Sequence, residues 1–126
     1  MCTFCFLDKK ITERDRILFS TPSWIAIYDG YPVTKGHVLL IPKQHYETYF
    51  DLPDSLKESI HYRINDIKDI LDKKFKPDGY NIGCNCGEAA GQTINHFHLH
   101  IIPRYKGDCE NPRGGVRGVI PSKQSY

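Results

Sequence analysis

Apolar residues change their spacing along the chain, and the change predicts strands on both sides of one long helix. Short runs rich in β-branched and aromatic residues predict strands, because such residues pack well on a pleated sheet. In the middle of the chain, apolar positions recur every three or four residues, which predicts one face of an amphipathic helix. The predicted strands span residues 16–20, 24–29, 37–41 and 79–84, and the predicted helix spans residues 52–76. This order favours an α+β fold with an antiparallel sheet.

The two ends of the predicted helix carry residues that suit them. A carboxylate at Asp51 or Asp54 can cap the first turn, and lysines in the last turns suit the negative end of the helix dipole. Pro77 and Gly79 are then expected to end the helix. The apolar face of the helix is formed by Leu56, Ile60, Ile64, Ile67, Leu71 and Phe75.

The strictest alternation of polar and apolar residues lies between Gly91 and Arg104, where three histidines stand at every second position. Because successive side chains of a strand point to opposite faces, His96, His98 and His100 are expected on one face of a strand, with the intervening apolar residues in a core. Such a row has three explanations: a solvated face, a metal site built from the row alone, or one nucleophilic histidine tuned by the others. The stretch alone does not decide among them.

Composition narrows the class of protein. The chain has 126 residues, which suits one domain, and its 40% hydrophobic and 25% charged residues are typical of globular proteins. Its net charge of +2 is too small to indicate nucleic acid or an anionic membrane as the main partner. We find no apolar run of the roughly 18 residues that a membrane helix needs, and no secretory signal. We therefore expect a cytoplasmic protein with no nucleic-acid and no membrane partner.

The five cysteines favour metal ligation or free thiols, because an odd number without a secretory signal argues against a disulfide framework. Cys2 and Cys5 form a Cys-x-x-Cys pair, which is half of a structural zinc site. A redox pair and a pair without a joint role remain the alternatives. His45 follows the third predicted strand directly, a position that suits a metal ligand or a binding-loop residue. The remaining thiols, expected to be ordinary, are Cys84, Cys86 and Cys109.

Histidine can attack phosphorus and hold the transferred group as a phosphoramidate. The attacking nitrogen must be neutral, so the other ring nitrogen should donate its proton to a carbonyl or a carboxylate. Donors must also meet the phosphate oxygens. The small residues of segment 85–91, with Gln92 and Thr93, supply backbone, amide and hydroxyl donors next to the histidines. A histidine row beside such a loop predicts a phosphate site with covalent catalysis.

The segment from His96 to Ile102, His-Phe-His-Leu-His-Ile-Ile, resembles the motif of the histidine triad (HIT) family at every position. The resemblance extends to the flanks of this segment, residues 88–93 and 103–104, and to another block of the family at residues 32–45. The segment from Cys2 to Cys5 resembles the zinc-binding N-terminus of many members. The resemblance points to the nucleotide hydrolase and phosphoramidase-like branch, of the bacterial zinc-containing type.

The resemblance implies a HIT-like fold with about five antiparallel strands, the long helix, a short N-terminal helix, and a homodimer that joins the two sheets. The HIT domain is expected at residues 1–105. Residues 106–126 are expected to form an extended C-terminal tail that belongs to the same domain.

The resemblance also implies a role for each candidate residue. His98 would be the nucleophile that becomes nucleotidylated, and His100 would contact the scissile phosphate and the leaving group. Asp29 matches the position that holds the ribose hydroxyls, and His37 would support the triad from behind. We predict His96, His98 and His100 as catalytic residues and Asp29, His37, Asn85, Gly91, Gln92 and Thr93 as substrate-binding residues.

The family implies structural Zn²⁺ held by two thiolates and two imidazoles, a ligand set typical of closed structural sites. The four predicted ligands are Cys2, Cys5, His45 and His96. In family members without zinc, the residue matching His96 is a hydrogen-bonding residue instead.

The implied activity is hydrolysis of a P–N or P–O bond at the α-phosphate, through a nucleotidyl-histidine. The substrate would be a nucleoside phosphoramidate or a (di)nucleoside polyphosphate, so the expected partners are a purine nucleotide or dinucleoside polyphosphate and a second copy of the chain. A nucleotide-binding or adaptor protein with little catalysis, a nucleotidyl transferase and a metalloenzyme remain alternatives. The third histidine favours a hydrolase, because the transferase branch usually has glutamine there.

Overall fold

Five strands form an antiparallel sheet in a computed structural model, which describes Phe4 and residues 16–126. Their order across the sheet is β1-β2-β3-β5-β4, and every neighbouring pair is antiparallel. The predicted α+β architecture is therefore confirmed, whereas the predicted N-terminal helix lies outside the described residues. The strands are β1 (Ile17–Ser20), β2 (Trp24–Tyr28), β3 (Val38–Pro42), β4 (Gly79–Gly83) and β5 (Leu99–Arg104).

The long helix α1 (Asp54–Phe75) packs on the sheet and lies close to its predicted bounds. The predicted carboxylate caps are wrong. The helix begins after Pro53, which makes no side-chain cap, and Asp51 instead accepts the Thr48 backbone N–H at 3.0 Å in a separate 3-10 turn, Tyr49–Asp51. Among the described residues, no helix has both the length and the apolar character needed to cross a membrane.

The core has two layers, one on each face of the sheet. Alternate residues of the central strands divide between them, so Leu40 packs toward α1 and Leu39 packs on the opposite face. Because both faces are covered, β2 and β3 are apolar at almost every position. The layer toward α1 includes Trp24, Val38, Ile67, Leu71, Phe97, Leu99 and Ile101, and the opposite layer includes Phe4, Ile25, Ile27, Leu39 and Ile41.

The strand that carries the histidines begins later than predicted. β5 starts at Leu99, so the first two histidines precede the hydrogen-bonded ladder. Continuing the register between β3 and β5 would place Pro42 opposite Phe97. Proline has no N–H to donate, and the Phe97 N–H donates instead to the carbonyl of Tyr46 at 2.6 Å. The prediction of one strand through all three histidines is therefore wrong.

The tail, residues 106–126, differs from the predicted extended chain. It forms two short 3-10 helices, Gly115–Val119 and Pro121–Lys123. The residue before the first of these helices, Gly114, has to be glycine. Its φ is 87°, and a Cβ there would lie 1.8 Å from the Gln124 carbonyl oxygen. The end of the tail therefore lies against the turn at Gly114.

Candidate functional site

Two adjoining cavities open beside the histidines. The first, here named the histidine cavity, has a volume of about 710 Å³. The second has a volume of about 530 Å³ and is named the tail cavity, because residues of the 3-10 helix Gly115–Val119 form part of its wall. Both volumes are typical of small-molecule sites. The two cavities meet at four residues that line both of them: Asp29, Tyr31, Asn85 and His100.

The histidine cavity combines apolar and polar walls. Its apolar residues belong to or adjoin the core layer on the sheet face opposite α1, and its polar residues come mainly from the loop before β5 and from the histidines. Such a cavity suits a ligand with a flat apolar part and a charged part. The apolar wall includes Phe4, Ile27, Leu39 and Ile94, and the polar wall includes Asn85, Gly91, Thr93, His98 and His100.

Hydrogen bonding fixes the tautomer of His98. Its Nδ1 lies 2.9 Å from the backbone carbonyl oxygen of His96. A carbonyl only accepts, so Nδ1 carries the proton, and the neutral ring has its lone pair on Nε2. This arrangement meets the requirement for a nucleophilic imidazole in the histidine cavity.

A second chain of hydrogen bonds fixes His37 and His100. The Val33 backbone N–H donates to His37 Nδ1 at 3.0 Å, so the proton of neutral His37 lies on Nε2. That nitrogen is 2.9 Å from His100 Nδ1. His37 Nε2–H therefore donates to His100, and neutral His100 carries its own proton on Nε2. The His37 side chain is buried, and its ring centroid lies 5.2 Å from that of His100.

Burial keeps this pair uncharged at neutral pH. It lowers the pKa of His37, and the nearby Asp29 carboxylate only partly opposes the effect. The pKa of His100 is lowered to about 4, first by burial and then by the positive charge that His98 and His37 can carry. At neutral pH, His100 is therefore a neutral hydrogen-bond donor through Nε2.

Asp29 lies between the two cavities. One carboxylate oxygen accepts the Tyr31 backbone N–H at 2.8 Å. The other lies 3.4 Å from His37 Nε2. The carboxylate thus faces the cavities while its orientation is fixed from behind, which suits the predicted contact with neighbouring ribose hydroxyls.

The loop before β5 brings the predicted phosphate ligands to the histidine cavity. Asn85, Gly91 and Thr93 all line it. Gly91 ends a 3-10 turn, Glu88–Ala90, with a φ of 91°, a conformation that L side chains rarely adopt. The glycine is therefore needed for the turn that carries Thr93 toward the cavity.

Gln92 is a correction to the predicted substrate-binding set. Its side chain is buried and its amide is occupied by backbone groups. Oε1 accepts the Gly87 N–H at 2.8 Å, and Nε2 donates to the carbonyls of Glu47 at 2.6 Å and Ile94 at 3.1 Å. Gln92 lines neither cavity, and it holds the loop in place instead.

His96 is the second correction, because its ring does not line either cavity. The side chain is fully buried, and Nε2 lies 2.8 Å from the Pro42 carbonyl oxygen, to which it donates. Burial is also the main reason why the pKa of His96 is lowered. The contribution of His96 to the histidine cavity is its backbone carbonyl, which orients His98.

His45 and His96 fit one half of the predicted zinc site. Their rings meet edge to face with centroids 5.0 Å apart. With its proton on Nε2, His96 has its lone pair on Nδ1, and a carbonyl behind a ligating imidazole is the usual arrangement at metal sites. The other two predicted ligands, Cys2 and Cys5, lie outside the described residues.

A different group of potential metal ligands is formed by Asp29, His37 and His100, whose ligand atoms all lie within 4.8 Å of one another. The hydrogen bond from His37 to His100 already accounts for this spacing. In the described part of the chain, His96 and His98 do not join such a group, so the geometry does not favour a catalytic ion held by the three histidines of the motif.

Several cavity residues were not predicted from the sequence. Arg16 lines the histidine cavity and donates to the Tyr28 carbonyl at 3.3 Å. Tyr31 lines both cavities, and Val116 and Val119 of the tail line the tail cavity. A lone arginine before a strand and valines in a glycine-rich segment carry no local pattern that would have identified them.

A five-stranded antiparallel sheet with one long helix, and a histidine-lined cavity beside its central strands, define the histidine triad class of α+β protein. The chain belongs to the HIT domain family, because the family model matches residues 11–107. An uncharacterized HIT-like protein of Methanocaldococcus jannaschii is 40% identical over 121 residues, which cover 94% of this chain and 92% of that protein.

Solved structures confirm the HIT-like fold. A HIT family protein from Bacillus anthracis matches with a TM-score of 0.78 and 38% identity, covering 85% of this chain and 75% of that one. A zinc-bound histidine triad family protein from Mycobacterium smegmatis matches with a TM-score of 0.75 and 32% identity, covering 85% of this chain and 77% of that one.

Some similar proteins are nucleotide hydrolases. An adenylylsulfatase of Arabidopsis thaliana is 38% identical, covering 86% of this chain and 54% of that protein. A bis(5′-adenosyl)-triphosphatase of Dictyostelium discoideum is 34% identical, covering 86% of this chain and 73% of that protein. The two activities differ in the group that leaves, so the family alone does not define one reaction.

Proposed function

We propose that this protein is a nucleotide hydrolase that cleaves a P–N or P–O bond at the α-phosphate through a nucleotidyl-His98 intermediate. The observation that carries the proposal is the hydrogen bond from His98 Nδ1 to the His96 carbonyl. It fixes the tautomer that a nucleophilic imidazole needs, in a cavity with phosphate-binding groups.

The reaction has two displacements at the same phosphorus. In the first, the Nε2 lone pair of His98 attacks the α-phosphorus, a P–N bond forms, and the bond to the leaving group breaks. The leaving group departs with the electron pair of that bond and takes up a proton. In the second, water attacks the phosphorus, the P–N bond to His98 breaks, and a nucleoside monophosphate and one proton are released. Free His98 is regenerated with Nδ1–H still bonded to the carbonyl.

His100 acts in this scheme as a neutral donor. Its Nε2–H meets either a phosphate oxygen or the leaving atom, where negative charge develops in the transition state. His37 is a positioning residue, because its Nε2–H holds His100 Nδ1 as an acceptor at 2.9 Å. A low pKa for His100, about 4, keeps this arrangement intact at neutral pH.

The walls of the histidine cavity suggest how the nucleotide lies. Phe4, Ile27 and Leu39 offer apolar surface for the base, and Asp29 can accept from two ribose hydroxyls. Thr93 and Asn85 then meet the phosphate beside His98. A purine nucleotide or a dinucleoside polyphosphate would satisfy these contacts.

Structural Zn²⁺ and a homodimer are parts of the same proposal. The paired rings of His45 and His96 support the zinc site, and the ion would join them to Cys2 and Cys5 close to the chemistry without taking part in it.

The edge strand β4 has only β5 as a neighbour in the described sheet, so a second copy could extend the sheet there.

The proposal is tested by replacing His98 with asparagine. The amide N–H of the variant can still donate to the His96 carbonyl, whereas the group corresponding to Nε2 is lost. We expect turnover of adenosine 5′-phosphoramidate to fall by about 10⁴-fold or more, with nucleotide affinity measured by calorimetry kept within a few-fold. His61→Asn, on the exposed face of α1, is the matched control and should remain fully active.

Assays of the wild-type protein, together with His98→Asn, separate the alternative functions. Nucleotide binding by the wild-type protein without turnover of phosphoramidates, adenylyl sulfate or dinucleoside polyphosphates would replace the hydrolase with a binding or adaptor protein. Transfer of the nucleotidyl group to a second phosphate compound in place of water would indicate a transferase. Full activity of His98→Asn would reject His98 as the nucleophile.

A further inference from the structure

We propose that Arg16 recognises the base of the nucleotide and selects 6-oxopurines, guanine and hypoxanthine, over adenine. The proposal rests on the proposed hydrolase function and names the base of its substrate. It predicts that a guanosine or inosine 5′-phosphate derivative is hydrolysed in preference to the corresponding adenosine compound.

The position of Arg16 in the sheet favours contact with the base rather than with the phosphate. Arg16 directly precedes β1 and lines the histidine cavity, but it does not line the tail cavity. Strands β2 and β3 lie between β1 and β5, which carries His100. Three strand spacings of about 4.8 Å therefore separate β1 from β5. Arg16 thus approaches the cavity from the side opposite the histidines.

The guanidinium of Arg16 also lies next to the proposed ribose site. Its Nη2 donates to the backbone carbonyl of Tyr28 at 3.3 Å, and the following residue is Asp29, whose carboxylate is proposed to accept the ribose hydroxyls. The base is attached to the ribose, so a cation held beside this stretch of backbone is within reach of the base.

Most donors of this guanidinium are available to a ligand. In the described part of the chain, the bond to Tyr28 is its one hydrogen bond, and it forms no ion pair. The guanidinium donates from all three nitrogens and accepts nothing. The bond to Tyr28 holds one end of this planar group, and the remaining N–H groups can donate into the cavity.

Gly30 leaves the guanidinium open to the cavity that both residues line. Its φ lies outside the left-handed region, so the backbone does not require glycine at this position. A Cβ there would lie 3.5 Å from Arg16 Nη2, in van der Waals contact, and a longer side chain would cover the group. The missing side chain therefore exposes the cation to a bound nucleotide.

The donor-only character of the guanidinium determines which purine it favours. Guanine and hypoxanthine present two neighbouring acceptors, O6 and N7, and a guanidinium can donate to both. Adenine presents N7 beside an amino group, which is itself a donor. One of the two contacts would then bring two donors together, so Arg16 favours the 6-oxopurine.

The test compares guanosine, inosine and adenosine 5′-phosphoramidates as substrates. We expect kcat/KM to be about tenfold or more higher for guanosine than for adenosine. Inosine should lie within a few-fold of guanosine, because hypoxanthine keeps O6 and N7 and lacks only the 2-amino group. The 7-deazaguanosine compound, which lacks N7, should lie between guanosine and adenosine.

Two variants remove the contact in different ways. Arg16→Met keeps an apolar stem but removes the donors, so the preference for guanosine over adenosine should disappear. Gly30→Val keeps the charge but covers it, so the preference should also fall. Arg113→Met is the matched control, because Arg113 lines neither cavity and its guanidinium lies over the Tyr126 ring. This control should keep the wild-type preference.

Several outcomes would overturn the inference. They are equal kcat/KM on guanosine and adenosine, and a preference that survives in Arg16→Met. Equal losses on both bases in Arg16→Met would assign the cation to the phosphate instead. Slow turnover of inosine beside rapid turnover of guanosine would assign recognition to the 2-amino group, which needs an acceptor. If Arg16→Met does not fold, an unchanged preference in Gly30→Val overturns the inference.

The failure of the proposed function is distinguishable. If none of the phosphoramidates is hydrolysed, the hydrolase proposal fails. Binding then decides the inference separately: guanosine 5′-monophosphate should bind about tenfold more tightly than adenosine 5′-monophosphate by calorimetry, and equal affinities would overturn it. Equal hydrolysis of both bases through His98 would overturn the inference and leave the hydrolase proposal intact.

Discussion

His96 and His98 are two residues apart in one motif, yet they lie in different surroundings. His96 is fully buried, and its ring is held between the Pro42 carbonyl and His45. His98 is partly exposed in a cavity, where its Nδ1 donates to the His96 carbonyl and its ring meets Phe4 edge to face. The same residue type, repeated at one spacing, therefore acquires its chemistry from what the second ring nitrogen meets. The first suits a structural metal ligand, and the second suits a nucleophile.

The largest expected effect is on stability, and it comes from changing the proposed zinc site around His96. His45→Ala should release zinc and destabilise the fold by several kcal/mol, because a structural zinc site contributes directly to folding free energy. Cys5→Ser should have the same effect. His98→Asn should retain both zinc and stability. Metal content by mass spectrometry and thermal unfolding measure the difference. Zinc loss in His98→Asn, with zinc retained in His45→Ala, would reverse the assigned roles.

An intermediate effect is expected at His37. His37→Asn can still accept the Val33 N–H but cannot reach His100, so we expect kcat to fall by about tenfold with KM little changed. His37→Gln places an amide near the lost Nε2–H and should recover part of kcat. Steady-state kinetics of the two variants test this. Equal loss in both, accompanied by a lower melting temperature, would indicate a packing role instead.

The smallest expected effect is on the pH dependence of stability. The pKa of His100 is lowered from 6.5 to about 4 in the folded protein. Between these values the unfolded chain binds a proton that the folded chain does not, so stability is fully present above the unfolded pKa and decreases as pH falls toward 4. His100→Asn should show a flatter decrease in melting temperature between pH 7 and pH 5 than wild type, and His61→Asn should show the same decrease as wild type. An unchanged slope in His100→Asn would contradict this account.

Much of the fold was predictable from the sequence, because apolar periodicity reports which faces are buried. The period of the apolar residues identified α1, and short apolar and aromatic runs identified β1, β2 and β3. The late start of β5 was not predictable from alternation, because it depends on Pro42 in another strand, which cannot donate to the ladder. Local patterns likewise gave no indication that Asp51 closes a separate turn rather than capping α1.

A site residue was predictable where its residue type has few chemical roles. It was unpredictable where tertiary contacts determine what the side chain binds. The motif singled out His98, and the family resemblance added Asp29; both line one cavity together with residues of the small-residue loop. The amide of Gln92 looked equally suited to phosphate, but three backbone groups occupy it. The wall formed by Val116 and Val119 depends on how the tail folds against β4, which no local pattern encodes.

The most direct test of the account is to identify the residue that carries the nucleotide during turnover. Wild-type protein is mixed rapidly with adenosine 5′-phosphoramidate, quenched within milliseconds in base, and analysed by peptide mass spectrometry. The account predicts one adenylyl group on His98, absent in His98→Asn and discharged when turnover is complete. An adduct on His96 or His100, or rapid turnover in which no adduct forms at any time, would contradict it.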